Sequence, residues 1–173
     1  MQAGGTDGRG FVVTFDYPRQ CISYECVLHS QPGDVQLKNY AKSIYGTLVV
    51  PVVFTYQNHS ITARACIDTG AGASILAPRL TKALVPSKDP VRRKQTSARF
   101  GDGDISVFEI TERIQMSIGP VTVTADSALM LSDSSEVPSA MTGHDALIGT
   151  SFLKDLVLII DYQESPISVY IRP

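Results

Sequence analysis

The sequence lacks the features that would tie it to a charged polymer, a bilayer or a crosslinked scaffold. Its 15 basic residues nearly cancel its 17 acidic ones, and a formal charge of -2 offers no global attraction for nucleic acid or an anionic membrane. Three cysteines without dense spacing do not make a disulfide framework and favour a reducing compartment. No run approaches the roughly 18 to 20 apolar residues that span a bilayer. The best candidates, Leu48 to Phe54 and Leu156 to Ile160, are strand-sized. The opening MQAGGTDGRG has neither the basic nor the apolar region of a secretory signal and reads as a flexible lead-in. No fixed-period repeat is present, which argues against solenoids and propellers. What remains is a 173-residue chain, 43% apolar and 18% charged, with the balance of one soluble globular domain and a sizeable core.

Strand signals dominate. Short runs rich in Val, Ile, Thr, Tyr and Phe, several alternating with period two, are separated by Gly, Pro, Asp and Ser clusters. The expected strands are Phe11 to Tyr17, Ile22 to His29, Thr47 to Tyr56, Ser60 to Ile67, Thr96 to Phe100, Ile105 to Ile118, Val121 to Leu131, Leu156 to Tyr162 and Ile167 to Ile171. Helical signal is confined to Pro78 to Val85 and to a short turn after Thr150 or Ser151, whose hydroxyls suit a helix N-terminus. Residues 86–94 and 132–143 read as loops, the first basic and solvated, the second rich in Ser, Pro and Gly.

Chemistry concentrates in Ala65-Cys66-Ile67-Asp68-Thr69-Gly70-Ala71-Gly72-Ala73-Ser74-Ile75-Leu76. A β-rich run delivers an acid into a small-residue turn, and an apolar segment then resumes. Glycines at 70 and 72 allow a tight turn and close approach of backbone to a ligand or another chain. Taken alone, the stretch also fits an ordinary Asx-type turn between strands. Two later segments complete a pattern. Arg99-Phe100-Gly101-Asp102-Gly103-Asp104-Ile105 sets a Gly-rich tip between alternating runs, the composition of a mobile hairpin. Ala146-Leu147-Ile148-Gly149-Thr150-Ser151-Phe152-Leu153 brings a hydrophobic strand to a glycine and then a short helix.

Asp-Thr-Gly-Ala followed by Ser-Ile, a Gly-rich hairpin and Leu-Ile-Gly-x-x-Phe-Leu resembles the retropepsins, the aspartic proteases of retroviruses, pararetroviruses and LTR retroelements with some cellular relatives. The resemblance covers Thr47 to Ile171. It implies an all-β fold, a closed barrel or sandwich of short strands with a flap hairpin and one or two short helices, assembled as a homodimer. It implies that Asp68 is the catalytic acid, that the Thr69 hydroxyl ties two active-site loops together, and that Gly70 is a substrate-facing backbone group. Ala71, Phe100, Gly101, Asp102, Gly103, Asp104 and Ile148 would contact substrate, with residues 100–104 forming the flap tip. Three departures stand out. Gly72 and Ala73 occupy positions where several retroviral enzymes carry acids, and Thr150 stands where many have Arg. Residues 1–46 form an extension, expected to be strand-forming, ahead of a protease domain over 47–173.

Peptide hydrolysis by this route uses two carboxyl groups sharing one proton across a bound water: one acts as general base, the other donates to the substrate carbonyl. The sequence holds a single Asp-Thr-Gly and no Asp-Ser-Gly. The second carboxylate is therefore expected from another copy across a two-fold axis. The resemblance implies that terminal strands join in a dimer sheet. Ile167 to Ile171 alternates suitably, and as an exposed apolar edge it would otherwise invite aggregation. Whether Phe11 to Tyr17 or Ile22 to His29 joins it is open at this stage.

Other clusters carry weaker signals. Cys21, Cys26 and His29 fit no common zinc spacing and lack an evident fourth ligand, so no metal site is expected. Gly70-Ala-Gly72 and Gly101-Asp-Gly103 lack the third glycine of a dinucleotide loop, and Asp102-Gly-Asp104 lacks the acidic ladder of an EF-hand. His144-Asp145 has no nucleophile elbow upstream. The expectation is an aspartic endopeptidase without cofactor, acting on polypeptide, with neither nucleic acid nor membrane as partner. The resemblance points to processing of a viral or retroelement polyprotein, including the chain itself, in the cytoplasm or in virus-like particles. The alternatives are a cellular protease of the same type and a silent module that keeps the fold to dimerise or bind peptides.

Overall fold

The computed structural model describes residues 10–38, 40–42, 47–85, 93–100, 103–131, 137–138, 141–163 and 166–173. Strands β1 (Val12–Asp16), β2 (Cys21–Glu25), β3 (Val35–Gln36), β4 (Ala41–Lys42), β5 (Leu48–Tyr56), β6 (His59–Ile67) and β7 (Ile75–Leu76) precede helix α1 (Pro78–Leu84). They are followed by β8 (Arg93–Phe100), β9 (Gly103–Ile110), β10 (Ile114–Ile118), β11 (Val121–Ala125), β12 (Ala128–Leu131) and β13 (Ala146–Ile148). Helix α2 (Thr150–Leu153), β14 (Val157–Asp161) and β15 (Ser168–Arg172) complete the chain. The protein is mostly β, as the alternating runs predict. Two compact units emerge, one of Met1–Lys38 with Leu153–Pro173, the other of Asn39–Phe152.

The first unit carries a five-stranded sheet in the order β2-β1-β14-β15-β3. Alternation of Val12 and Thr14 with Val13 and Phe15 lets β1 pair antiparallel with β14 on one side and β2 on the other. Val12, Val157 and Ile159 form an apolar cluster on one face, against which Leu28 and Tyr170 pack. Asp16 closes the β1–β2 turn by accepting from the Arg19 backbone N–H at 3.0 Å. Strand β15 pairs with β14 and also with β3. This corrects the expectation of a free C-terminal edge: Val35 and Gln36 occupy that edge, and Val169 and Ile171 are buried within their own chain. Neither N-terminal candidate pairs β15, because β14 lies between it and β1.

The second unit holds a ten-stranded sheet in which β11-β10-β5-β6-β13-β7-β12-β9-β8 follow one another and β4 pairs with β5. Among the described residues neither sheet closes on itself. The expected closed barrel is thus replaced by open sheets. The ends of this path carry polar residues, Thr122 and Thr124 in β11 and Lys94, Gln95, Ser97 and Arg99 in β8, which suit water rather than a closing ladder. Two expected long strands are each broken. Ile105 to Ile118 divides at Thr111-Glu112-Arg113, because β9 pairs with β8 and β12 whereas β10 pairs with β5 and β11. Val121 to Leu131 divides at Asp126-Ser127, and an Arg113–Asp126 ion pair at 3.5 Å links the two breaks. Glu112 is fixed by the Tyr56 hydroxyl, which donates to its Oε2 at 2.5 Å.

Helix α1 starts after extended Ala77 with Pro78 in its first turn, where the missing N–H is harmless, and buries Leu80 and Leu84. Phe54 of β5 and Phe152 of α2 meet at a ring separation of 5.7 Å in a tilted arrangement. Among the described residues no helix is long and apolar enough to cross a membrane.

Candidate active site

The Asp68 loop is held by a three-strand insertion. β13 lies between β6 and β7, parallel to the first and antiparallel to the second. Chain order alone would leave β6 and β7 joined by their short connection. Instead a segment some eighty residues later passes between them, and its exit, Gly149, comes up beside the loop. Ile148 accepts from the Asp68 backbone N–H at 2.9 Å, which extends the β6–β13 ladder by one rung and fixes where the acid leaves the strand.

Beyond that rung the loop is pinned from both sides. Gly70 N–H donates to Asp68 Oδ1 at 3.0 Å and Ala71 N–H donates to the Asp68 carbonyl at 3.2 Å. The Ala71 carbonyl accepts twice from Thr150, from its N–H at 2.9 Å and its hydroxyl at 3.0 Å. Ser74 is fully buried and satisfied: its Oγ accepts from Gly149 N–H at 2.9 Å and from the Ser151 hydroxyl at 2.8 Å, and its own N–H donates to Ser151 Oγ at 3.1 Å. The hydroxyls of Thr150 and Ser151, expected to serve the start of the short helix, turn back to the Asp68 loop instead. Below the loop, Asp145 Oδ2 accepts from Arg64 N–H at 2.8 Å, and its carboxylate pairs with the Arg79 guanidinium at 2.8 Å. Asp145 is therefore a structural acceptor joining β6, α1 and the entry to β13.

Asp68 and Thr69 are half-buried and Gly70 is exposed, so the carboxylate stands at the surface with one oxygen oriented by backbone. Immediately beneath it, burial pushes the Cys66 thiol above its ordinary value; a hydrogen bond with Thr47 opposes the shift and the Asp68 charge adds to it. The thiol stays protonated, a small apolar neighbour to the acid. Cys21 and Cys26, by contrast, are exposed.

The structure brings several expected site residues together. Ala71 and Phe100 pack, with Ala98, Ile105 and Leu129, against one buried cluster of Ile75, Ala77, Val107, Leu131, Met141 and Leu147. The β8–β9 hairpin runs in register from Arg93 opposite Ile110 to Phe100 opposite Gly103. Gly103 adopts φ 126°, a conformation that side chains resist, and Asp104 lies 4.0 Å from Arg99 across the hairpin in an exposed pair. Ile148 has no exposed surface, so it serves the site through its carbonyl. Gly101 and Asp102 lie outside the described residues. Ser74 and Ser151 were absent from the expected site, and Gly149 entered the sequence pattern without a defined role. The only linear hint was a serine placed shortly after Asp-Thr-Gly and another after Leu-Ile-Gly.

No protein-family model matches the chain, and no curated protein sequence matches it. Among solved structures it is similar to "EIAV protease complexed with the inhibitor HBY-793", at 16% identity and a TM-score of 0.45, over 66% of this chain and 92% of that chain.

Proposed function

We propose that the chain is an aspartic endopeptidase that works as a homodimer, with Asp68 supplying one carboxyl of a shared dyad. The observation that carries this reading is the Asp68 loop itself. At the end of β6 the Asp68 backbone N–H donates to the Ile148 carbonyl and the Gly70 N–H donates to its surface carboxylate, with a buried serine network fixing the loop from behind. Such fixing matters because a general base contributes only when its oxygen is held within reach of the proton that it takes.

One Asp68 and its counterpart from a second copy would share a proton, since two like charges at close range do not both ionise readily. The ionised member takes a proton from water, the water oxygen attacks the scissile carbonyl, and the protonated member donates to the carbonyl oxygen. Collapse of the tetrahedral intermediate expels the amine, which takes up a proton as it leaves. An extended peptide suits the setting: main-chain groups set register, while alternate side chains meet the apolar surface around Ala71 and Phe100. Thr69 would tie the loops of the two copies, and the β8–β9 hairpin would cover the bound chain. Polyprotein processing, self-cleavage included, is the role that the Asp-Thr-Gly resemblance supports, in the cytoplasm or in virus-like particles.

The test is cleavage of a peptide library from acidic to neutral pH, read by mass spectrometry. Asp68→Asn is expected to lower turnover by about 10²- to 10⁴-fold or more while the variant keeps its fold and its mass in solution. Undiminished cleavage by purified Asp68→Asn would overturn the mechanism.

A further inference from the structure

Strand β2 ends its sheet: it pairs with β1 on one side, and among the described residues no strand pairs its other side. Ile22 is 55% exposed and Tyr24 61%, and Val27 just beyond is 59% exposed, so three of the six large exposed hydrophobics among the described residues fall within residues 22–27. Open edges are ordinarily guarded by lysine, proline, a bulge or brevity. Cys21–Glu25 has neither lysine nor proline and keeps unbroken one-to-one register with β1. Among the described residues the other open edges are guarded: β3 and β4 have two residues each, β11 alternates threonines, and β8 carries Lys94 and Arg99.

We propose that a second copy of this chain pairs along β2, antiparallel and centred on Ser23. The proposal rests on the aspartic-protease reading for its choice of occupant, because a chain with one Asp-Thr-Gly has an incomplete site until another copy joins it. The sequence of the strand supports that choice independently. A two-fold axis through Ser23 sets Ile22 opposite the partner's Tyr24, and Tyr24 opposite the partner's Ile22. Each is a β-branched residue against an aromatic one, a favourable cross-strand pair that symmetry supplies twice. On the opposite face Cys21 meets the partner's Glu25, while Ser23 faces its own counterpart; within one copy the Ser23 hydroxyl donates to Glu25 Oε1 at 3.3 Å. Other centres lose this match. Centring on Ile22 sets Tyr24 against the partner's Gln20 in the turn, and centring on Tyr24 sets Ile22 against the partner's Cys26.

The register is tested by charge exchange and by crosslinking in the full chain. Sedimentation equilibrium from about 1 to about 100 µM should give a dimer for the native sequence. I22K/Y24K places like charges opposite each other twice and is expected to raise the dissociation constant at least about tenfold. I22K/Y24E places opposite charges across the same axis and should recover dimer relative to I22K/Y24K. S23C in a C21S/C26S background should oxidise to a dimer whose peptide map shows the 23–23 linkage. A chain that is monomeric throughout, charge variants that dimerise like the native chain, or a dimer in which S23C does not crosslink would each overturn the proposal. Where I22K/Y24K fails to fold, the S23C linkage decides. Activity separates the two readings. A native chain that dimerises and cleaves no peptide, while its S23C variant gives the 23–23 linkage, removes the protease reading and leaves the interface. Cleavage by the native chain, together with an S23C variant that forms no 23–23 linkage, removes the interface alone.

Discussion

A methyl group on Gly149 would sit 2.5 Å from the Ala73 carbonyl oxygen and 2.6 Å from that of Ala71, closer than side-chain carbons come to backbone. Both carbonyls belong to the Asp68 loop, so relief requires that loop to move. The glycines of the motif itself are less constrained: a methyl on Gly70 would lie 3.5 Å from Asp68 Oδ1, and one on Gly72 would meet nothing within 4 Å. The tight approach that the sequence assigns to positions 70 and 72 is made at 149. Gly149→Ala is accordingly expected to lose about 3 kcal/mol of stability, the upper part of the usual overpacking range. Gly72→Ala should stay within about 1 kcal/mol of the native chain, with reduced freedom of the unfolded state in its favour. Urea unfolding of the two variants measures both, and equal stability for Gly149→Ala would show that the loop yields easily. The position of the acid was legible because Asp-Thr-Gly is a short linear pattern. The support was not, because Ser74 meets Gly149 and Ser151 across 75 and 77 residues, and nothing local in one sequence says which distant polar groups will satisfy each other.

Elements were legible in proportion to their length. Strands β5 and β6, nine residues each, carry enough alternation to be read directly, and a two-residue turn at Gln57-Asn58 joins them with Gln57 at φ 50°. Strands β3, β4 and β7 have two residues apiece and show no period to read. Strand β13 has three, all buried, and its role comes from where it is inserted rather than from its composition. That insertion is anchored at its start by Asp145, whose N–H donates to the Arg64 carbonyl and whose carboxylate accepts from the Arg64 N–H and from the Arg79 side chain. Removing the carboxylate in Asp145→Ala leaves the Arg64 N–H and the guanidinium without their acceptor, a loss of about 1–3 kcal/mol. The effect should be local before it is global. Hydrogen exchange by mass spectrometry is expected to quicken in peptides spanning 64–70 and 144–149, while exchange in β10 and β11 stays near native. Unchanged exchange in both Asp68-side peptides would mean that the β6–β13 ladder holds without its anchor.

At the scale of the whole molecule, 173 residues hold one Asp-Thr-Gly, and a strand that was expected to offer a free terminal edge is already paired on both sides within its own chain. The proposed association therefore uses another edge, and β2 is the one whose exposed residues match themselves under a two-fold axis. This has a thermodynamic consequence separate from the register. If dimer is the folded form, a hundredfold rise in protomer concentration favours it by about 1.4 kcal/mol per protomer, half the linkage for a ligand over the same range. For a chain of this size that corresponds to a rise of about 3–5 °C in the unfolding midpoint. Differential scanning calorimetry of the native chain at two concentrations a hundredfold apart should show the rise, and I22K/Y24K should show a midpoint that barely moves. A native midpoint independent of concentration would mean that the folded state does not require a second copy, and the pairing along β2 would then contribute nothing to stability.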